Sequence, residues 1–240
     1  MKKAYSFGAM NAALLFFITL QADAALVSKL DGKAVYDDDL GITWIADASL
    51  SATNTFGLPT GVRLAPSPDY DWSLVPLIWE SGKMDWVAAN LWIDAMNSAK
   101  YLGYNDWRLP DTLQPDYSCE TTETLPSGTF RSSGLGCTGS ELGHLYDTEG
   151  VTQGTPGLFS NVQKLHVSET GVAGTNGFVW SMEFDSGYQG ATDKKVLTYP
   201  WAVRSGEVGA AVVPVPAAIW LFGSGLIGLL GTARHSRRKE

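Results

Sequence analysis

Few residues in this 240-residue chain have types and spacings that suit chemistry beyond packing: Cys119 and Cys137, the run Asp37-Asp38-Asp39, His144 and His166, and the step Asn105-Asp106. Cys119 and Cys137 are the only two cysteines. Two thiols without a nearby His pair supply too few ligands for zinc, so a disulfide is expected, closing a loop worth about 3 kcal/mol in the chain-entropy account. The aspartate run has the oxygens for calcium, but a twelve-residue calcium loop starting at Asp37 needs Gly where Ile42 stands and Glu where Ala48 stands. A solvated turn is expected there instead. His144 falls on a helical segment and His166 stands alone downstream, which gives neither a two-His metal pair nor a His-Glu-x-x-His string. Asn and Asp commonly close turns on their own backbone, and Asp106 is read that way rather than as a metal ligand. Arg108 is expected to pair with a buried carboxylate at the edge of the core. A Gly-x-Ser-x-Gly elbow and a phosphate loop are both missing from the sequence. A glycosidase pair cannot be chosen by spacing among so many acids. No catalytic residue, metal or cofactor is therefore expected, and the chain is read as a non-enzyme.

The two ends say where the protein goes. Lys2 and Lys3 precede the apolar run Ala12 to Ile18, and Ala22-Asp23-Ala24 follows, the order of a secretory signal peptide cut after Ala24 or Ala25. Export leads to a compartment that permits disulfides. At the other end, residues 208–233 carry no charge, and an apolar, glycine-rich segment at about 215–233 meets Arg234, Arg237, Arg238 and Lys239. That is the pattern of a single membrane helix with a cytoplasmic basic end. Val213-Pro214-Val215-Pro216, the apolar helix and the arginines together resemble the PEP-CTERM sorting signal in its Val-Pro-x-Pro variant. The resemblance implies recognition and cleavage by an exosortase, and delivery to the cell surface or exopolysaccharide matrix after a transient stay in the inner membrane. The usual Glu between the prolines is Val215 here. A permanent anchor is the competing reading of the same segment. The expected organisation is a signal peptide over 1–24, one extracytoplasmic domain over 25–207 and a sorting tail over 208–240.

The formal net charge is −8, and setting aside the basic ends with Asp23 and Glu240 leaves 11 cations against 23 acids, a body of −12. Such a body repels phosphate backbones, so nucleic acid is excluded as a partner.

The elements that must position any site follow from local pattern. Ala34 to Tyr36 and Ile42 to Ile45 flank the acidic turn as a hairpin. Residues from about Asn54 to Trp79 carry Pro59, Pro66, Pro68 and Pro76 and read as a long surface excursion. Trp72 and Trp79 in it are available to stack on sugar rings. Asp85 caps a helix reaching about Lys100, with Trp86, Ala89, Ile93 and Met96 on one face. Trp107 to Pro110 leaves as an extended strand, because the residue before proline avoids the helical region. Thr138-Gly139-Ser140-Glu141 fits a capping box for a second helix ending near Gly150. Gly177 to Phe184 and Tyr199 to Arg204 read as strands divided by a polar turn. The order gives an α+β domain with two helices on short antiparallel strands.

Ile42-Thr43-Trp44, the helix from Trp86, the string Asp106-Trp107-Arg108-Leu109-Pro110, Ser140 to Tyr146, Trp180 and Trp201 to Arg204 resemble the Lcl C-terminal-like domain, a family named after a bacterial collagen-like adhesin. The resemblance implies a C-type-lectin-like fold and binding of a glycan or matrix component, which for the founding adhesin is a sulfated glycosaminoglycan. This chain departs from the pattern by an insertion over 112–136, and a body of −12 repels sulfated polymers. A structural matrix component without a specific ligand is the alternative. Lectin-like folds also include oxidases with a cysteine pair and a metal, for which Cys119 and Cys137 would have to be reactive.

Overall fold

The computed structural model describes residues 26–61 and 78–209. The signal-peptide residues Ala22 and Ala24, the sorting-signal residues Val213, Pro214, Val215, Pro216, Arg234, Arg237 and Arg238, and Trp72 lie outside the described residues. Among those described, no helix is long and apolar enough to cross a membrane.

The chain folds as an α+β domain. Strands β1 (Leu26–Lys29), β2 (Ala34–Asp37) and β3 (Ile42–Ile45) form an antiparallel meander, and the last strand, Val203–Ser205, joins its far edge beside β3. In the β2–β3 hairpin Ala34 faces Ile45, Val35 faces Trp44 and Asp37 faces Ile42. Side chains alternate across a strand and cross-strand partners share a face. Ala34 and Ile45 accordingly enter a core shared with helix α1 (Trp86–Ser98). Val35, Ile42 and Trp44 enter a second core shared with helix α2 (Glu141–Asp147). β3 is thus buried on both faces, and its one polar side chain, Thr43, donates its hydroxyl to the Gly206 carbonyl at 2.7 Å. Asp37 lies two residues beyond Val35, so the same alternation turns its carboxylate toward α2.

Helix α1 starts where expected, with the Asp85 carboxylate accepting from the Ala88 N–H at 2.9 Å. Ala88, Ala89, Trp92, Ile93 and Met96 are its buried residues. Helix α2 departs from the capping-box reading: its N-cap is Ser140, not Thr138, and no side chain caps it. Glu141, the acid the box would have used, is held by Arg108 instead.

The 112–136 insertion contains a hairpin of β4 (Thr121–Thr124) and β5 (Phe130–Ser133). The Cys119–Cys137 disulfide closes its base. Next comes an antiparallel meander of β6 (Leu165–Gly171), β7 (Phe178–Glu183) and β8 (Gln189–Asp193). β7 matches the strand expected over 177–184. The polar stretch read as a turn holds β8, and the strand expected at Tyr199 is reduced to Val203–Ser205, here β9. Trp107 to Pro110 likewise shrinks to one bridge, in which Arg108 and Val203 exchange backbone hydrogen bonds of 2.8 and 2.9 Å. Too few residues run side by side at these places to make a longer ladder.

Candidate functional site

The residues of the Asp-Trp-Arg-Leu-Pro string and their downstream partners hold the fold together. Asp106 and Arg204 form a two-pronged pair, with Nε to Oδ1 at 2.8 Å and Nη2 to Oδ2 at 2.9 Å. The guanidinium lies 4.2 Å from the Tyr104 ring centroid. The Arg204 hydrogen bonds hold the Asp106 carboxyl below the usual carboxylate range. Asp106 is thus held mainly by an arginine, with its own backbone N–H as a smaller contribution. Trp107 is buried; its N–H donates to the Asn97 side-chain oxygen and its carbonyl accepts from the same amide, each at 2.8 Å. Arg108 does meet a part-buried carboxylate, Glu141, through bonds of 2.8 and 2.6 Å. Leu109 is in the α1 core, and the Pro110 carbonyl accepts from the Glu169 N–H. Trp201 is fully buried and donates to the Ile45 carbonyl at 2.8 Å.

A concave surface lies elsewhere, between the β4–β5 hairpin and strands β7 and β8. This cleft encloses about 380 Å³ and is lined by Glu123, Arg131, Trp180, Glu183, Tyr188 and Thr192 among others. That falls within the roughly 300–1,000 Å³ range of small-molecule sites. The insertion builds one wall: Gly134 of the hairpin bridges to Gln189 of β8, which fixes the hairpin against the meander. The Tyr188 side chain is nearly half exposed, and its ring lies close over Gly190, where a Cβ would stand 2.7 Å from a ring carbon. Any larger residue at that position would collide with the ring where it now sits. Arg131 is braced by the Ala173 carbonyl, to which its Nε donates at 2.9 Å, and stands 3.7 Å from Glu123. The Ser181 and Thr192 hydroxyls are bonded to one another at 2.6 Å. Trp180 is buried beneath the cleft, with no hydrogen-bond partner for its indole N–H among the described residues.

No family model, curated protein or solved structure matches the chain.

Trp79 is only partly exposed, its indole nitrogen is buried, and it is not among the residues lining the cleft. None of the cleft residues except Trp180 was singled out in the sequence. The one available signal was the insertion itself, because extra chain inside a domain usually serves a surface function.

The acidic turn is corrected in part. Asp38 and Asp39 are exposed, but Asp37 is 1% exposed and faces His144 and Glu149. His166 is fully buried: its Nε2 accepts from the Gln163 N–H at 3.1 Å, which leaves Nδ1–H to donate to the Tyr199 carbonyl at 3.2 Å. Burial pushes its imidazole down to about 3. Cys119 and Cys137 are both buried and bonded to one another. Asp116 beside them accepts from Ser118 and Gly139. A buried disulfide in a hydrogen-bonded loop has the surroundings of a structural pair, since reactive thiols sit in accessible, electropositive places.

Proposed function

We propose that this chain is an exported, non-catalytic surface or matrix protein whose α+β domain binds a carbohydrate in the cleft between the β4–β5 hairpin and the β7–β8 strands. The observation that carries the reading is the exposed Tyr188 ring flanked by Glu123, Glu183, Arg131 and hydroxyls in one concavity. A sugar presents an apolar C–H face suited to an aromatic ring and hydroxyls suited to carboxylates and guanidinium. Two carboxylates against one guanidinium make the cleft net acidic, which favours a neutral or amino sugar over a sulfated one. The signal-peptide pattern and the disulfide support export, and the resemblance of the tail to a PEP-CTERM signal supports sorting by an exosortase. The Lcl-like string supports a lectin-like use of the fold.

Glycan arrays and retention on the producing cell's own exopolysaccharide, both with the purified mature chain, test the proposal. Binding is expected to neutral polymers and to weaken about tenfold in Tyr188→Ala, since an aromatic contact is worth on the order of 1 kcal/mol beyond its buried area. Blank arrays together with no retention would overturn it and leave a matrix spacer without a ligand. Mass spectrometry of the mature C-terminus tests the sorting reading separately, because an intact chain through Glu240 held in the membrane would make it an anchored protein.

A further inference from the structure

We propose that Asp37, His144 and Glu149 form a binding site for a divalent first-row transition cation of the zinc type, clamping the β2–β3 turn to the C-terminal end of α2. The three residues come from two stretches of chain, the β2–β3 hairpin and the end of α2. Strand alternation turns Asp37 inward, α2 carries His144, and the chain past that helix returns so that the Glu149 N–H bonds to the His144 carbonyl at 3.1 Å. Asp37 Oδ2, His144 Nε2 and Glu149 Oε1 are each buried and each lack a hydrogen-bond partner among the described residues. Buried polar atoms are nearly always satisfied, so three orphans facing one another need a common partner. Carboxylate oxygens and an imidazole nitrogen offering its lone pair are all acceptors, and one cation placed among them serves all three at once.

The distances favour a metal ion over a proton. His144 Nε2 lies 3.5 Å from Glu149 and 3.7 Å from Asp37, and all three ligand atoms fall within 4.8 Å of one another. A protonated imidazole paired directly with a carboxylate closes to about 2.7–2.9 Å. Donor atoms around a tetrahedral ion with bonds of about 2.1 Å stand roughly 3.4 Å apart, close to the two distances from the imidazole nitrogen. The ligand set selects the ion: imidazole suits zinc and its neighbours, whereas calcium and magnesium sites are built from oxygen alone. Asp37 is aimed by its other oxygen, Oδ1, which accepts from the Leu40 N–H at 3.1 Å. Asp39, half exposed and 3.9 Å from the same imidazole nitrogen, stands on the open side, where it or water completes the shell. Burial raises both the Asp37 and Glu149 carboxyls above the usual carboxylate range, a cost that a bound cation reverses.

Calorimetry tests the site on the oxidised full chain, stripped with chelator and titrated with Zn²⁺ and, in parallel, Ca²⁺. One equivalent of Zn²⁺ is expected to bind more tightly than Ca²⁺, raise the melting temperature, and lose at least tenfold in affinity in both His144→Asn and Glu149→Gln. Imidazole NMR of the unmutated chain gives a readout that does not depend on how the variants fold: the His144 Nε2 resonance shifts on adding Zn²⁺ and that of His166 does not. The proposal fails if no Zn²⁺ is taken up, which would make the trio a protonated histidine between carboxylates. It fails equally if uptake leaves the His144 resonance unmoved, if both variants bind like the parent chain, or if Ca²⁺ binds more tightly.

Discussion

Lowering the pH from about 8 to about 5 should weaken the fold through the imidazole of His166. The ring is wholly buried, with centroids 4.8 Å from Trp201 and 5.4 Å from Phe184. Its Nε2 is an acceptor facing the Gln163 N–H, so a proton there would set two donors against each other. In the folded chain the group stays neutral down to about 3, whereas the ordinary value is 6.5. The unfolded chain therefore binds this proton first. The stability contributed by neutral His166 is complete above about 6.5 and is lost progressively as pH falls toward about 3. One pH unit of such a difference is worth about 1.36 kcal/mol, so pH 5 costs about 2 kcal/mol and the full window about 5 kcal/mol. Burial of Asp37 and Glu149 acts in the opposite sense: their raised carboxyls bind protons earlier in the folded state and stabilise it as pH falls. The clean measurement is thus a comparison. Urea unfolding of the parent chain and of His166→Gln at both pH values should show the parent losing about 2 kcal/mol more. Long-range ¹H–¹⁵N NMR should find His166 as the neutral Nδ1–H tautomer throughout. An imidazole that titrates near 6.5 in the folded protein, or parallel losses in the two chains, would refute the reasoning.

Other substitutions probe the joints that position the sites. Gly143→Ala should destabilise by about 1–3 kcal/mol or more, because its Cβ would stand 1.9 Å from the Cys137 carbonyl oxygen, and differential scanning calorimetry reads this as a lower melting temperature. Replacing Cys119 and Cys137 by serine should cost about 3 kcal/mol in denaturant unfolding, as the pair is 18 residues apart in sequence, with hydrogen exchange rising first in the β4–β5 hairpin. Arg108→Ala should cost about 2–4 kcal/mol, short of or near the range for breaking a buried pair, because Glu141 would keep its charge without its two-pronged partner. An additional Glu141→Gln change should recover part of that loss, a double-mutant cycle that a purely steric role for Arg108 would not produce.

The sequence by itself determined the local elements. Period two in Val35 to Trp44, the Asp85 cap with apolar spacings of three and four, and the two lone cysteines each encode their outcome in neighbouring residues or in simple counting, and the hairpin, helix α1 and the disulfide follow. The proposed export and sorting of the chain rest on order along the chain alone. Tertiary structure alone decided where polar groups are spent. Glu141 had the spacing to cap α2, yet Arg108, thirty-three positions away, takes it. Asp37 looked like one of three solvated acids until strand alternation placed it under a helix that the hairpin pattern does not mention. The short bridges at Arg108 and at Tyr199 depend on which segments happen to lie side by side, and the β4–β5 wall of the cleft on where an insertion docks. Contacts between residues far apart in sequence have no local periodicity to reveal them, and burial, which shifts the proton affinity of a carboxylate or imidazole, exists only once those contacts have formed.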